Sequence, residues 1–261
     1  MELGLNNKHA LVLGASQGLG LAVAKALLAE GASVTLSGRS PNRLEAARQS
    51  LPEDQQARCY LAVADLSDPD AASKISEAAR NNGRVDILVN NTGGPPGGPA
   101  HTAALDDFRI AFNQHLMAAQ IVLQAVLPGM RESGYGRVIN VISTSVKEPI
   151  RNLGVSNTIR GAVASWAKTL AGELGPFGIT VNNVLPGYTK TQRLEQILAD
   201  RANATGKDEE TVASAMIASV PAGRFADAAE IGAVIAFLAS PAAGYVNGIN
   251  VPVDGGRMQS L

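Results

Sequence analysis

The chain alternates short apolar runs with longer segments in which apolar residues recur every three or four positions. The short runs predict β-strands buried on both faces, and the longer segments predict helices that cover the strands. The predicted strands are Ala10–Leu13, Ser33–Leu36, Cys59–Val63, Val85–Val89, Arg137–Ile142, Ile179–Val184 and Gly248–Val253. The predicted helices are Gly20–Glu30, Asn42–Ser50, Ala71–Asn81, Leu105–Met130, Ser156–Leu174 and Ala228–Leu238.

Strand–helix alternation of this kind predicts an α/β fold of the Rossmann type, a doubly wound parallel sheet in three layers with right-handed crossovers. Because we find no repeat and no interdomain linker, we expect residues 1–261 to form one dinucleotide-binding domain. The Gly- and Pro-rich segment Gly93–Pro99 is expected to be an active-site loop after the fourth strand. The polar stretch Thr191–Arg224 is expected to be a partly helical lid over the substrate.

A glycine-rich turn joins the first predicted strand to its helix, and it contains Gly14, Gly18 and Gly20. Glycines at this point let the backbone turn tightly and approach a pyrophosphate, which then lies on the positive end of the following helix. A glycine triplet alone is weak evidence, but its place inside a strand–helix–strand unit makes it much stronger. The turn therefore predicts a dinucleotide site.

The residue type at the end of the second strand distinguishes NAD from NADP. A carboxylate there binds the ribose 2′-hydroxyl, whereas an arginine accommodates a 2′-phosphate. Here the sequence reads Leu36-Ser37-Gly38-Arg39-Ser40, with no carboxylate. Arg39 is well placed to pair with a phosphate, and Arg43 could assist from the next helix. We therefore expect NADP(H) as the cofactor, with NADPH bound more tightly than NADH.

Composition excludes several other classes of function. The 261 residues carry a net charge of −1, so no general attraction to nucleic acid or an anionic membrane is expected. No apolar run was found near the roughly 20 residues that span a bilayer, and the N-terminus does not resemble a signal peptide. The single cysteine, Cys59, fits a reducing compartment, and we expect it to be a core residue in a cytoplasmic protein. The three histidines have no metal-ligand spacing, so no metal is expected.

Several further motifs lie at the ends of the predicted strands. They are Asp65, Asn90-Asn91-Thr92-Gly93, Asn140 followed by Ser143, Pro186-Gly187 with Thr191, and Val253-Asp254-Gly255-Gly256. Together with the glycine turn, these motifs resemble those of the short-chain dehydrogenase/reductase family, over nearly the whole chain. The general likeness is to its 3-oxoacyl-carrier-protein reductase-like members.

The resemblance implies a set of cofactor contacts. Asp65 would lie at the adenine, Asn91 beside the cofactor, and Thr191 at the nicotinamide amide. It also implies a small-molecule carbonyl substrate and a homodimer or homotetramer, to which the last predicted helix and strand would contribute contacts. The full set of expected cofactor-binding residues is Gly14, Ser16, Gly18, Leu19, Gly20, Arg39, Asp65, Leu66, Asn91, Gly93, Arg160, Pro186, Gly187 and Thr191.

The catalytic residues depart from the family pattern. The family uses Asn, Ser, Tyr and Lys, of which only the serine, Ser143, is plainly present. The Tyr-x-x-x-Lys positions are occupied by Ser156 and Arg160, and the asparagine position by His115. Ser156 and Arg160 stand four residues apart in a predicted helix, so they share a face and could stabilise an oxyanion together. A serine is a much poorer acid than a phenol, and arginine stays protonated, so protonation of a product needs another group.

Three side chains are candidates for that proton donor, each with a plainer structural alternative. His115 titrates near neutral pH in its ordinary state, but it could also be a hydrogen-bonded helix residue. Lys147 follows Ser143 by four residues and could be made acidic by burial, or could lie on the surface. Tyr188 is a phenol near the expected nicotinamide, or a residue that packs on the substrate. Three functions remain open. They are an NADP(H)-dependent carbonyl reductase or alcohol dehydrogenase, a non-catalytic NADP-binding sensor or structural partner, and a different reaction that uses a tightly held cofactor internally.

Overall fold

A parallel sheet forms the centre of the computed structural model, which describes residues 2–68 and 70–260. The described strands pair in the order β3-β2-β1-β4-β5-β6-β7, and each pairing is parallel. This confirms the predicted Rossmann-type sheet. The strands are β1 (His9–Val12), β2 (Ser33–Gly38), β3 (Cys59–Val63), β4 (Ile87–Asn90), β5 (Gly136–Val141), β6 (Ile179–Pro186) and β7 (Asn250–Val253).

Helices cover both faces of this sheet. One apolar core lies between the sheet and the helices α1, α2 and α10, and a second lies on the opposite face under α4, α6 and α7. The helices are α1 (Gly18–Ala29), α2 (Pro41–Gln49), α3 (Glu53–Gln56), α4 (Ala71–Arg80), α5 (Leu105–Phe112), α6 (Ala118–Ser133), α7 (Gly154–Leu174), α8 (Gln192–Thr205), α9 (Glu209–Ala218) and α10 (Ala228–Ala239).

Local sequence accounts for where several helices begin and end. Gly31, at φ +90°, follows α1 and takes a conformation that other residues rarely adopt, which ends the helix. The hydroxyl of Ser40 accepts from the N–H of Arg43 and caps α2. Asp227 and Glu230 form a reciprocal capping box at the start of α10.

The predicted helix from Leu105 is interrupted by a π-helical turn over Asn113–Met117, between α5 and α6. Such turns widen the backbone spacing and are frequent at functional sites, and this one carries His115. The continuous helical segment Leu105–Ser133 has the length and mean composition of a membrane-crossing helix, but Gln114, His115 and Gln120 interrupt it, so it is not one continuous apolar run. Its α6 portion buries Val122, Leu123 and Met130 against α4 and the sheet, as a core helix does.

Helices α8 and α9 occupy the stretch predicted to be a lid. They have a small apolar cluster of their own, separate from the two main cores. The cluster contains Leu194, Ala202, Val212, Met216 and Phe225. The lid is therefore attached to the sheet mainly through its two ends, beside β6 and α10.

The chain first adds β2 and β3 on one side of β1, and then adds β4 to β7 on the other side. The strand order therefore changes direction between β1 and β4. In open α/β sheets a crevice opens at this switch point, beyond the carboxyl ends of the strands. The loops that follow β1, β4, β5 and β6 meet at that edge. They carry most of the residues that the sequence singled out.

Candidate active site

The glycine-rich turn closes against the loop after β4. Gly14 and Gly18 have φ of +59° and +57°. A Cβ at Gly14 would lie 2.5 Å from the carbonyl oxygen of Asn91, and one at Gly20 would lie 2.3 Å from the carbonyl oxygen of Gly14. The Asn91 amide also donates to the carbonyl of Gly14, at 3.1 Å. Only glycine fits at Gly14 and Gly20, and the N–H groups that begin α1 face the crevice as a pyrophosphate site requires.

Arg39 and Asp65 lie together at one end of the crevice. Both side chains are exposed, at the ends of β2 and β3. The Asp65 carboxylate accepts from the N–H of Ser67 at 3.0 Å. Hydrogen bonds from Ser67, and to a smaller extent the charge of Arg39, lower the pKa of Asp65. An exposed guanidinium at the end of the second strand fits the adenosine 2′-phosphate of NADP(H).

The start of the lid reaches back to the glycine turn. The Thr191 methyl carbon lies 3.7 Å from where a Cβ would stand at Gly18. The amide of Gln17 donates to the side-chain oxygen of Gln192 at 2.7 Å. Gly187, after Pro186, packs so closely on Asp254 that a Cβ would lie 2.7 Å from its Cα. These contacts hold Thr191 at the crevice, where a dinucleotide would lie.

Four asparagines form a hydrogen-bonded ladder across the sheet. Asn90, Asn140, Asn183 and Asn250 are in register on β4, β5, β6 and β7. Each side-chain amide donates to the oxygen of the next asparagine at 2.8 Å. The ladder begins at the Oδ1 atom of Asn90, which is buried and has no hydrogen-bond partner among the described residues.

A small cavity of about 10 Å³ lies behind the crevice, at the end of this ladder. Three of the side chains that line it bring a buried polar atom with no partner among the described residues: Oδ1 of Asn90, Nε2 of His115 and Nε of Arg160. Buried polar groups are nearly always paired, so three unpaired atoms around one cavity mark it as functional or hydrated. The volume is near the lower limit for one water molecule.

His115 is held in its uncharged form. Its ring is buried, and Nδ1 is hydrogen-bonded to the hydroxyl of Thr92. Burial, and then the positive charge of Arg160, lower the pKa of His115 to about 3. The sequence suggested a side chain that titrates near neutral pH, and the structure contradicts this because the imidazolium would be both desolvated and next to a cation. Neutral His115 can still pass a proton between its two nitrogens.

Arg160 is buried, at 8% exposure, and points back towards β5. Its Nη1 atom donates to the carbonyl of Val141 at 2.7 Å. Burial, and then the charge of Arg193, lower the pKa of Arg160 to about 10, so it remains a cation at neutral pH. A buried cation is costly unless it is paired, and here the described residues provide only a carbonyl. Arg160 thus places uncompensated positive charge under the crevice.

Ser143 and Ser156 reach the site on different elements. Ser143 follows β5, and its hydroxyl accepts from the N–H of Ser145 at the start of a short 3₁₀ helix. Ser156 lies in the first turn of α7, which is docked on the Gly93–Pro99 loop: Gly154 donates to the carbonyl of Gly98 at 2.9 Å. Both serines are half-buried. Neither serine lines the small cavity, whereas Arg160 and His115 both do.

The other two proposed proton donors also lie near this edge. Lys147 ends the 3₁₀ helix after Ser143 and is half-buried. Tyr188 packs edge-to-face on Phe225, with the guanidinium of Arg257 4.5 Å from its ring centre. The geometry thus gives Tyr188 a packing environment between the lid and the C-terminal segment. Their roles as acids stay predictions.

Sequence reasoning missed several residues of this site. Thr92 was read only as part of a motif, yet its hydroxyl is hydrogen-bonded to Nδ1 of His115 and so orients the ring. Glu148 was not noticed, although its carboxylate accepts from the N–H groups of Gln259 and Ser260 at 2.7 and 2.8 Å and so ties the C-terminal segment to the loop after β5. Arg193 was counted only as part of the lid. These contacts join distant parts of the chain, and no local pattern signals them.

Two predictions outside the crevice can also be compared with the structure. Cys59 is buried in the core, and burial raises the pKa of its thiol to about 11, so it is a core residue as expected. Among the described residues, no three His, Cys, Asp or Glu side chains are grouped as a metal site.

The chain is similar to known proteins over nearly its whole length. The family model described as enoyl-(acyl carrier protein) reductase matches residues 14–257. The NADPH-dependent reductase BacG of Bacillus subtilis is 30% identical, over 98% of this chain and 100% of its own length. Gluconate 5-dehydrogenase of Gluconobacter oxydans is 32% identical, over 98% of this chain and 97% of its own.

Solved structures of related enzymes have the same fold. The L-sorbose reductase of Gluconobacter frateurii, in complex with NADPH and L-sorbose, superposes with a TM-score of 0.94 at 31% identity, and each chain is covered completely. Since the crevice fits the cofactor and its relatives include NADPH-dependent enzymes, NADP(H) is the cofactor of this chain. The glycine turn, the ordered strand-end motifs and these matches over the full length make the chain an oxidoreductase of the short-chain dehydrogenase/reductase family.

Proposed function

We propose that this protein interconverts a small-molecule carbonyl compound and its alcohol, with Ser156 and Arg160 in place of the family's tyrosine and lysine. The observation that carries the proposal is the buried, uncompensated guanidinium of Arg160 beneath the crevice. A fold keeps such a charge at a cost, and a positive potential there favours an oxygen that becomes negative during reaction.

The cofactor residues are assigned by position. Arg39 would hold the 2′-phosphate and Asp65 the adenine, while Thr191 would bind the nicotinamide amide. The glycine turn, with Ser16 and Leu19, would hold the pyrophosphate. Bound NADPH supplies the hydride, and the chain supplies binding, orientation and electrostatics.

The remaining chemistry belongs to the crevice residues. As hydride adds to the carbonyl carbon, the oxygen gains negative charge and takes a proton. We assign the Ser143 hydroxyl to hydrogen-bond this oxygen, with Ser156 beside it and Arg160 stabilising the charge from below. Neutral His115, joined to Thr92 at one nitrogen and open at the other, would carry a proton between crevice and cavity. Lys147 and Tyr188 are the alternative donors.

The experiment combines cofactor binding with turnover. Purified protein is titrated with NADPH by fluorescence and then assayed with ketones, aldehydes and sugars at several pH values. Conjugated enones are included because the family description names an enoyl reductase. Turnover that falls at least about 100-fold in Ser143→Ala, with NADPH affinity kept, would support the proposal.

The second candidate is a non-catalytic NADP-binding protein. It is favoured by one observation, the absence of a phenol or lysine at positions 156 and 160. Tight NADPH binding without turnover of any member of the panel would establish it.

If turnover is found, three variants identify the proton donor. They are His115→Ala, Lys147→Met and Tyr188→Phe, and each is assayed for turnover and for NADPH affinity.

We also propose that the protein is a cytoplasmic homo-oligomer that recognises no nucleic acid or membrane. The oligomer is supported by exposed apolar side chains on the last helix and just before the last strand, including Phe237 and Ile249.

A further inference from the structure

A second arginine reaches the crevice from the lid. Arg193 stands in the first turn of α8, two residues after Thr191. Its Nη2 atom lies 3.7 Å from the position that a Cβ would take at Gly94, in the loop after β4. The side chain therefore spans from the lid to the Gly93–Pro99 loop and crosses the opening under which Arg160 is buried.

Neither arginine has a carboxylate partner. Within residues 2–68 and 70–260, no carboxylate oxygen forms an ion pair with Arg160 or Arg193. His115 is uncharged, and Glu148 is already occupied by the C-terminal N–H groups. The two cations also oppose each other, since Arg193 contributes to the lowered pKa of Arg160. Two like charges at one opening are stabilised when an anion lies between them.

The anion could come from the cofactor or from the substrate. The pyrophosphate and the 2′-phosphate of NADP(H) are assigned elsewhere: the pyrophosphate to Gly18–Gly20 on the N-terminus of α1, and the 2′-phosphate to Arg39. Arg193 points instead to Gly94, on the side of the crevice formed by the loop after β4 and by α7. Guanidinium groups bind carboxylates through two parallel hydrogen bonds, which fix orientation as well as charge.

We propose that the substrate of this protein is an oxo acid, whose carboxylate is bound by Arg193 with Arg160 contributing to the positive potential. This inference rests on the proposed function and specifies its substrate class. It makes Arg193 a specificity-determining residue. A carboxylate anchored at the lid would also hold α8 over the crevice, so that water is excluded from the reacting carbonyl.

The test uses matched pairs of substrates. Aliphatic and aromatic 2-, 3- and 4-oxo acids are compared with their methyl esters, which keep the carbonyl and lose the charge. Wild type is expected to prefer at least one acid to its ester. Arg193→Gln is expected to lower kcat/KM for that acid about 10- to 100-fold and for the ester less than about 3-fold, which is the range for a charged hydrogen bond. Lys207→Gln, which removes another exposed lid cation, is expected to change neither.

Three results would overturn the inference. One is a preference for esters or neutral ketones over every acid. Another is an equal loss for acid and ester in Arg193→Gln. The third is a rise in the Kd of NADPH for that variant, which would place a cofactor phosphate at Arg193. Because Arg193 is exposed, the variant is expected to fold, and circular dichroism is the measurement that checks this.

Failure of the proposed function gives a different result. In that case no carbonyl compound of either charge is turned over, although NADPH still binds. The inference is then decided by calorimetry on the complex with NADP⁺. Binding of an oxo acid that is lost in Arg193→Gln, with no binding of its ester, supports it, and the absence of such binding overturns it.

Discussion

At the scale of single residues, the preference for NADPH over NADH is proposed to depend on the exposed guanidinium of Arg39. No carboxylate follows β2 directly in the sequence, and the charge of Arg39 acts on the carboxylate of Asp65. An arginine that pairs with a phosphate forms charge-assisted hydrogen bonds, which are roughly twice as strong as neutral ones. Removal of the Arg39 side chain should therefore weaken the binding of NADPH and leave that of NADH nearly unchanged.

We expect Arg39→Ala to raise the Kd of NADPH about 10- to 100-fold and to leave the Kd of NADH within about 3-fold. Fluorescence titration with both cofactors measures the two constants. Arg48→Ala is the matched control, because Arg48 lies on α2, the helix that follows Arg39, but is paired with Glu45 at 2.9 Å. If wild type binds NADH as tightly as NADPH, the assignment of Arg39 is wrong.

His115 makes a second prediction, which concerns stability and pH. Its pKa in the folded protein is about 3, below the ordinary value of 6.5. Between these values the unfolded chain binds a proton that the folded protein does not, so folding free energy is lost as the pH falls through this window. The loss is at most about 1.4 kcal/mol for each pH unit.

Urea unfolding at pH 7, 6, 5 and 4 measures this effect. His115→Asn keeps a polar side chain of similar reach but cannot titrate, so its stability should fall less steeply than that of wild type. His9, whose pKa is also lowered by burial, contributes the same slope in both proteins and so cancels in the comparison. Parallel slopes for the two proteins would show that His115 is not held neutral.

At the scale of elements, the asparagine ladder connects the sheet to the cavity. Asn140 is central: its amide donates to Asn183, and its oxygen accepts from Asn90. Because the three residues are buried, removing the middle one leaves a donor and an acceptor unpaired. Such networks rigidify a core when they are complete and are costly when they are broken.

We expect Asn140→Leu to lower the free energy of unfolding by about 2–5 kcal/mol, since each unpaired buried group costs about 1–3 kcal/mol. Urea denaturation measures the change. Asn250→Leu, at the half-buried end of the ladder, breaks one bond and should cost clearly less. Equal losses in the two variants would mean that the ladder does not act as a connected unit.

The elements themselves were largely predictable, and the exceptions have physical reasons. The short apolar runs identified each described strand, although β6 extends beyond its predicted end to Pro186, because Leu185 and Pro186 pair with the neighbouring strand β7. The π-turn at Asn113–Met117 was not predicted, because its sequence NQHLM keeps ordinary helical composition. The widened turn arises from packing, and no local preference encodes it.

In the candidate site, too, the sequence predicted where the residues lie but not how their side chains are oriented and charged. Motif spacing located Ser143, Ser156 and Arg160 near one edge of the sheet, since the carboxyl ends of parallel strands share an edge. It did not reveal that Arg160 turns towards Val141, or that His115 loses its ordinary pKa. Burial and neighbouring charge decide both, and they depend on residues far apart in the chain.

At the scale of the whole molecule, apolar side chains remain exposed in two regions. One is C-terminal and contains Phe237 on α10, Tyr245, and Ile249 before β7. The other lies on α5 and the following turn, with Leu105, Ile110 and Met117. Grouped apolar exposure on an otherwise well-packed chain marks protein contacts, and a two-fold contact buries about 800 Å² on each partner.

We expect the C-terminal region to form the contact between subunits, as the sequence suggested. Light scattering after size-exclusion chromatography should give a mass at least twice that of one 26.9 kDa chain at micromolar concentration. Phe237→Glu combined with Ile249→Glu places two carboxylates in the apolar contact, where burial without a partner is strongly unfavourable, and should release smaller species. Val63→Glu, also exposed but on the edge strand β3, is the control and should leave the mass unchanged.

A second variant shows which of the two apolar regions forms the contact between subunits. If Leu105→Glu with Ile110→Glu dissociates the protein and the C-terminal variant does not, the contact lies on α5. That outcome would also bear on catalysis, because α5 leads directly into the turn that holds His115, and a subunit contact there would fix the turn's position. A monomeric wild type would leave both apolar regions free. The positioning of His115 would then depend on Thr92 and the packing of one chain alone.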